Sequence, residues 1–326
     1  MIKGVLLKIA SAFVFTLMSA SVKFSSAAYP IAELVFFRSF FALVVLMIWL
    51  VQRGEYPHGI ATRRPLGHLG RAIAGACGMF TGFISLTLLP LPDATAIGFT
   101  TPLLVVVLAA LVLKETVRLY RWSAVAVGFC GVLVMLSDHI GNASAGSGAF
   151  LSSRTGMGVV VALIAALFSS VATIQTRRLT KSENTGAIVF YFTAMTTVVG
   201  FLASLISSLW PNDWTGAPAI QTQAFIWPAT GDFLALSAIG IFGGIGQILM
   251  TQSFRYADAS IIACFDYTAM LWASALGFLL FNEVPSRSVV IGALIIALAG
   301  LFVIWREHRL GLQRLAEREA DPERSV

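Results

Sequence analysis

The feature that most constrains this chain is a series of long apolar runs. A helix rises 1.5 Å per residue, so about 20 residues cross about 30 Å of hydrocarbon. The predicted spans are residues 4–24, 31–51, 72–89, 94–113, 122–136, 157–176, 187–209, 233–253, 259–281 and 289–305. With 57% hydrophobic and 12% charged residues, the chain holds more apolar side chain than one water-soluble core can bury. The sequence therefore predicts an all-α integral membrane protein with ten transmembrane helices.

The first apolar run has two interpretations. Its basic start, apolar middle and small residues towards the end are shared by signal peptides and by N-terminal spans. We expect an uncleaved span, because the internal repeat described next needs a helix at this position.

Residues that recur at constant spacing indicate an internal repeat. At a shift of 165 residues, the matched positions are Gly75, Gly78, Asp93 and Ala94 with Gly240, Gly243, Asp258 and Ala259. At a shift of 154, the pairs VF and VV at 35–36 and 44–45 recur at 189–190 and 198–199. The chain thus divides into two five-helix repeats, residues 4–136 and 157–305. Because five is odd, consecutive insertion places the second repeat upside down, the arrangement by which secondary transporters expose one site to either side.

The distribution of basic residues supports that orientation. With the N-terminus inside, 18 of the 22 Lys and Arg residues fall on the cytoplasmic side and 3 on the outer side, with Arg38 inside the membrane. The positive-inside rule selects this topology. We therefore predict a multi-pass protein of the inner membrane with both termini cytoplasmic. Residues 306–326 form a basic cytoplasmic tail, either solvated or folded as a short surface helix.

Several classes of function lack their sequence signals. The four histidines lie outside the predicted spans and form no HExxH motif, the three cysteines form no CxxC motif, and no phosphate-binding loop occurs. We expect no metal, no cofactor and no nucleic-acid partner. The expected partners are a small-molecule substrate and the lipid bilayer, and a homo-oligomer stays open. A membrane-embedded enzyme would need convergent catalytic groups, which the spans do not show, so we expect no enzyme.

Arg38 is the charge that the sequence places deepest in a span. It lies about 10 Å below the start of its helix, where an arginine costs about 2.5 to 3.5 kcal/mol unless it faces a partner or a wet cavity. It could bind a carboxylate, a phosphate or an electron-rich ring of the cargo, or it could fasten helix two to a neighbour. Its repeat equivalent is Phe192, so the shared scaffold does not require the charge.

Asp266 is the other charge that the sequence places well inside a span, about seven residues into span nine. Its carboxylate could bind a cation or shuttle a proton, or it could cap local backbone near the water interface. Glu33 is nearer a helix end and is interpreted as interfacial. The other candidates for substrate binding share a polar or aromatic group within a span, and interhelical packing is their alternative role. They are Thr100, Thr101, Gln175, Gln247, Tyr267 and Trp272.

Two corresponding segments and the arginine of span two resemble a known family. The segments are PDATAIGFTTPLLVVVLAALVLKE (residues 92–115) and ADASIIACFDYTAMLWASALGFLLFNE (residues 257–283). They resemble the EamA-type ten-helix carriers of the drug/metabolite transporter superfamily, over residues 4–305. The stretches KFSSAAYPIAELVFFRSFFA and RAIAGACGMFTGF are similar to the branch with bacterial riboflavin and S-adenosylmethionine carriers, and amino-acid exporters are close relatives.

This resemblance implies a secondary carrier of a small organic metabolite. It also implies a central cavity surrounded by helices three, four, eight and nine, with the fifth helix of each half outside. A lipid-linked-sugar flippase on the same fold is the competing function. It would need a strongly basic cavity, and a single deep arginine argues against it.

Overall fold

A computed structural model describes residues 2–112, 119–141, 153–209, 225–256 and 264–320, and within these ranges it contains no strand. Short 3₁₀ turns occur at His58–Ile60 and Cys264–Tyr267. The helices are α1 (Ile2–Ser25), α2 (Ile31–Gln52), α3 (Pro65–Leu88), α4 (Leu91–Gly98), α5 (Thr100–Val112), α6 (Leu119–Gly141), α7 (Arg154–Leu179), α8 (Thr185–Leu209), α9 (Thr230–Tyr256), α10 (Thr268–Phe281) and α11 (Arg287–Ala320).

Seven of the helical segments are long and apolar enough to cross a membrane. They are α1, α2, α3, the α4–α5 stretch Leu91–Leu108, α7, α8 and Gly231–Tyr256 in α9. Three shorter apolar stretches, Trp122–Val134, Thr268–Phe281 and Arg287–Phe302, coincide with predicted spans five, nine and ten. Large apolar side chains such as Leu234, Leu279 and Leu111 stand exposed on these helices, as side chains that contact lipid do. The chain is a multi-pass membrane protein.

Three helix boundaries differ from the sequence prediction. Helix α3 begins at Pro65 instead of residue 72, because proline is preorganised for the first helical turn and lacks only an amide hydrogen that would be unpaired there. Predicted span four consists of two helices, α4 and α5, with Phe99 between them. Helix α11 continues to Ala320, so most of the predicted tail extends the last helix.

The helices pair in a pattern that is preserved when the two predicted halves are exchanged. Helix α3 packs along α7, and the exchange turns this pair into α9 with α1, which also packs closely. The contact of α9 with α2 likewise becomes that of α3 with α8. The pairs α2 with α8 and α6 with α11 map onto themselves.

Glycines allow the closest of these helix contacts. A Cβ atom added at Gly244 of α9 would lie 2.9 Å from the Cα atom of Ala42 in α2. One added at Gly78 of α3 would lie 3.3 Å from the backbone nitrogen of Ser169 in α7. Both glycines belong to GxxxG sequences, whose small residues let helix backbones approach in a bilayer. The short distances to backbone of the facing helix fit this packing role.

Candidate functional site

A cavity of about 370 Å³ lies among α1, α2, α3, α4, α5, α7, α8 and α9. Small residues of α3 and α7 line one side, including Gly78, Gly82, Ala165 and Ala166. The resemblance implied walls from helices three, four, eight and nine. Helices three, four and eight do contribute, and so do one, two, six and seven, whereas no described residue of α10, predicted span nine, lines the cavity.

Two buried arginines line this cavity and share one aromatic ring. Arg38 of α2 is 3% exposed and Arg71 of α3 is 4% exposed. The Cζ atom of Arg38 lies 5.4 Å from the centre of the Phe192 ring, and that of Arg71 lies 4.0 Å from it. The two distances add to 9.4 Å, which is the largest separation the two Cζ atoms can have. Two positive charges thus converge on Phe192, the repeat equivalent of Arg38.

Neither guanidinium has an anionic partner among the described residues. Arg71 donates a hydrogen bond from Nε to Thr176 Oγ1 at 2.9 Å, and that hydroxyl donates to the Ala172 carbonyl oxygen at 2.8 Å. Within the described part of the chain, Arg71 Nη1 and Arg38 Nε and Nη1 are buried without a hydrogen-bond partner. The described lining of the cavity contains no Asp or Glu. Unpaired buried donors are costly, so this arrangement favours an incoming anion.

Glycines of the sequence repeat make room for both guanidinium groups. A Cβ atom at Gly75 would lie 2.6 Å from Arg71 Nη1 and 2.6 Å from Cε2 of Phe192. A Cβ atom at Gly243 would lie 2.8 Å from Arg38 Nε. Any other residue at either position would displace a cation from the cavity wall.

Three of the predicted substrate-binding residues line the cavity, namely Arg38, Thr101 and Gln247. Thr101 Oγ1 donates to the Ala166 carbonyl oxygen at 3.5 Å, a weak hydrogen bond that leaves the hydroxyl available to a ligand. Gln247 is 3% exposed, and its Nε2 atom has no hydrogen-bond partner among the described residues. The cavity therefore offers two cations, an amide and several hydroxyl groups.

Other predicted site residues lie outside the described cavity lining. Thr100 is buried, and Gln175 is half-buried on α7. Trp272 meets Phe13 edge to face, with ring centres 4.9 Å apart. The structure does not describe the Tyr267 side chain.

Asp266 also lies apart from the cavity, in an ion pair with Lys8. Its Oδ1 atom is 2.5 Å from Lys8 Nζ, and its side chain is 38% exposed. The sequence considered a cation, a proton or local backbone as the partner of this carboxylate, and the partner in the structure is the Lys8 side chain. Glu33 lies in the first turn of α2, as its interfacial interpretation requires, and there it is fully buried and accepts a hydrogen bond from the backbone amide of Ile226.

The sequence reasoning missed Arg71 as a cavity residue. Starting span three at residue 72 placed Arg71 in a cytoplasmic loop, where it was counted among the basic residues of that side. The signal that could have found it is Pro65, a residue suited to the first turn of a helix. The same early start puts His68 inside α3, although the sequence placed every histidine outside the spans.

A multi-pass helical bundle with buried arginines in a cavity among its helices is an arrangement typical of membrane transport proteins. Comparison with known protein families identifies the family of this chain. Residues 2–137 and 156–306 match the EamA-like transporter family. The chain belongs to this family, and so to the drug/metabolite transporter superfamily that its sequence motifs resemble.

Two relatives and one solved structure are similar over almost the whole chain. The pseudopaline exporter of Pseudomonas aeruginosa is 32% identical over 301 residues, which cover 91% of this chain and 94% of the relative. The S-adenosylmethionine uptake transporter of Rickettsia prowazekii is 26% identical over 277 residues, covering 85% and 84%. A crystal structure superposes with a TM-score of 0.64 at 20% identity, covering 94% of this chain and 98% of that one, which shows a shared fold. The chain is a transporter of small metabolites, as its sequence predicted.

Proposed function

We propose that this transporter carries a small organic anion, and that Arg38 and Arg71 together bind its carboxylate. The observation that supports this most directly is the pair of buried guanidinium groups that face one cavity with no described carboxylate beside them. A guanidinium matches a carboxylate with two parallel hydrogen bonds. A bound anion would supply the negative charge that no described residue of the cavity lining provides.

The proposed mechanism is alternating access by two inverted five-helix repeats in the inner membrane. The exchange symmetry of the helix pairs supports the repeat, because pairs within the bundle map onto one another when the two halves are exchanged. The excess of basic residues in the loops assigned to the cytoplasm supports the orientation with both termini inside. Rocking of one repeat against the other would open the cavity to each side in turn.

The charge of the cavity narrows the substrates that the sequence suggested. Amino acids and S-adenosylmethionine carry a free carboxylate, whereas riboflavin does not. A hydrogen bond between a charged group and its partner contributes about 1.5 to 3 kcal/mol. Arg38 and Arg71 therefore favour an amino acid over riboflavin, and most of all an acidic amino acid, whose net charge is negative. They disfavour S-adenosylmethionine, whose ammonium and sulfonium groups make it a net cation.

Uptake and efflux of radiolabelled substrates in membrane vesicles test this proposal. The panel contains amino acids, S-adenosylmethionine and riboflavin, and the variants are Arg71→Gln and Arg38→Gln. Each should lower transport of the carboxylate-bearing substrate about 10-fold or more, because one charged hydrogen bond is lost. Arg53→Gln is the matched control, since Arg53 is exposed and pairs with Glu55 at 2.8 Å outside the cavity. Transport that both cavity variants leave at the level of the control would overturn the anion site.

A lipid-linked-sugar flippase remains the second candidate, and one observation favours it. Arg71 doubles the number of deep arginines, so the cavity is more basic than the sequence indicated. The two functions differ in where the substrate resides. Vesicles that accumulate a water-soluble carboxylate in their lumen support the carrier, whereas translocation of a lipid-linked phosphosugar without luminal uptake of any panel compound supports the flippase.

A further inference from the structure

We propose that His68 and Glu183 form a proton-binding site that couples proton binding to the binding of the anionic substrate. The inference rests on the proposed function, because it requires an anion at Arg71. It adds the coupling ion and assigns a role to two residues outside the cavity. The proton and the anion would cross the membrane together.

The two side chains meet where α3 begins and where the connection from α7 to α8 runs. His68 is 3% exposed and Glu183 is 6% exposed. His68 Nε2 lies 3.7 Å from Glu183 Oε2, which is an ion-pair distance but too long for a hydrogen bond. Both ring nitrogens are buried without a hydrogen-bond partner among the described residues. A histidine with a purely packing role would be expected to have its ring nitrogens paired, because leaving them unpaired is costly.

The surrounding contacts hold the carboxylate in place beside the imidazole. Glu183 Oε1 accepts a hydrogen bond from the Arg63 backbone amide at 3.0 Å. The Glu183 carbonyl oxygen accepts one from Arg255 Nη2 at 2.9 Å, which ties the site to the end of α9. The His68 ring packs on Tyr191 of α8, with ring centres 4.8 Å apart. The site thus joins α3, α8 and α9, three helices that also line the cavity.

The described groups around the imidazole are Glu183 at 3.7 Å, the Tyr191 ring, Arg71 on the same helix, and Arg255, which donates to the Glu183 carbonyl oxygen. The negative charge of Glu183 favours a proton on the ring, and the positive charge of Arg71 opposes it. Arg71 lies three residues after His68 on α3, and residues at this spacing are neighbours on one helix face. The proton on His68 and the free charge of Arg71 therefore oppose each other.

Substrate binding changes this balance. A carboxylate at Arg71 offsets its positive charge, so the imidazole takes up a proton more readily. By linkage, a protonated His68 strengthens anion binding by the same factor. A monoanion and a proton together add no net charge to the cavity. Departure of the anion restores the repulsion and favours release of the proton.

The first experiment measures the pH dependence of transport in vesicles. Transport of the carboxylate-bearing substrate from an acidic to an alkaline compartment should exceed transport at equal pH several-fold. His68→Gln should abolish this pH response while leaving the protein in the membrane. His58→Gln is the matched control, because His58 is an exposed histidine near the same end of α2 and α3. A pH response that His68→Gln leaves intact would overturn the proposal.

The second experiment observes the proton itself and needs no transported substrate. The protein labelled with ¹³C-histidine is titrated by NMR in detergent, with His68→Gln or, if that variant does not insert, Glu183→Gln to assign the signal. Arg71→Gln should raise the titration midpoint of His68 by about one pH unit, because it removes a nearby positive charge. Glu183→Gln should lower the midpoint.

Benzoate and its uncharged analogue benzamide complete the test. Benzoate should raise the His68 midpoint in the unaltered protein and less so in Arg71→Gln, while benzamide should leave it unchanged. A His68 signal that does not titrate, or a midpoint unaffected by Arg71→Gln, would refute the coupling. If the proposed anion site itself is wrong, the result is different: Arg38→Gln and Arg71→Gln then both transport the substrate normally.

Discussion

Arg38→Gln should reduce transport without destabilising the protein. Arg38 contributes a positive charge to the cavity, yet its Nε and Nη1 atoms have no hydrogen-bond partner among the described residues. The guanidinium lies over the Phe192 ring, with Cζ 5.4 Å from the ring centre. Glutamine keeps a polar side chain at the cavity wall and removes the charge.

The structure sets the size of the stability change. Two unit charges at most 9.4 Å apart repel by about 1.8 kcal/mol or more at an effective dielectric constant of about 20. The lost cation–π contact with Phe192 contributes about 1 kcal/mol in the other direction. The empty protein should therefore become more stable by about 1 kcal/mol, or about 2 °C in melting temperature. Transport should fall about 10- to 150-fold through loss of one charged hydrogen bond to the substrate.

Thermal unfolding in detergent and vesicle transport are measured on the same preparations, with Arg53→Gln as the control for loss of an exposed arginine. A carboxylate-bearing ligand should raise the melting temperature of the unaltered protein more than that of Arg38→Gln. The reasoning fails if Arg38→Gln lowers the melting temperature by more than about 5 °C and transport falls only with the amount of folded protein. Arg38 would then fasten α2 to its neighbours.

Three further perturbations test packing, the outer end of the bundle and Asp266. Gly244→Ala should destabilise the protein by about 1 to 3 kcal/mol because its Cβ atom would lie 2.9 Å from backbone of α2, whereas Gly231→Ala, with nothing within 4 Å, should not; equal melting temperatures would contradict this. Lys23→Gln removes the 2.6 Å ion pair with Glu283, whose carboxylate also accepts a hydrogen bond from the Leu91 backbone amide at the start of α4. Hydrogen exchange of the first amides of α4 should therefore accelerate several-fold. An unchanged exchange rate would show that the ion pair does not stabilise the start of α4. Asp266→Asn should leave the pH response of transport intact, since its carboxylate is ion-paired with Lys8 and is not part of the His68–Glu183 site, and a flattened response would move the proton site to Asp266.

The prediction of an all-helical membrane protein was confirmed, and seven segments are long and apolar enough to span a bilayer, because a span is a local property. The length and apolarity of a run of residues decide whether it can cross a bilayer as a helix, and neither property depends on distant residues. The same holds for the motifs that indicated the family. The start of α3 at Pro65 and the break between α4 and α5 at Phe99 were missed. A search for long apolar runs takes no account of proline as a helix-starting residue or of a one-residue interruption.

The site was only partly predictable, because a side chain's neighbours in a bundle come from distant helices. The sequence named Arg38, and it named Phe192 as the equivalent position in the second repeat. It did not show that α2, α3 and α8 bring Arg38, Arg71 and Phe192 to one cavity. Asp266 looked similar to Arg38 in sequence, but its contact with Lys8 gave it a separate environment.

By itself, the sequence determined that this chain is a helical membrane transporter, because apolar length and family motifs are written along the chain. Only the tertiary structure decided that two arginines share a cavity without a described carboxylate and that His68 lies buried beside Glu183. The physical reason is that the electrostatic energy of a buried charge depends on what surrounds it in space. Those surroundings are supplied by helices that are far apart in sequence.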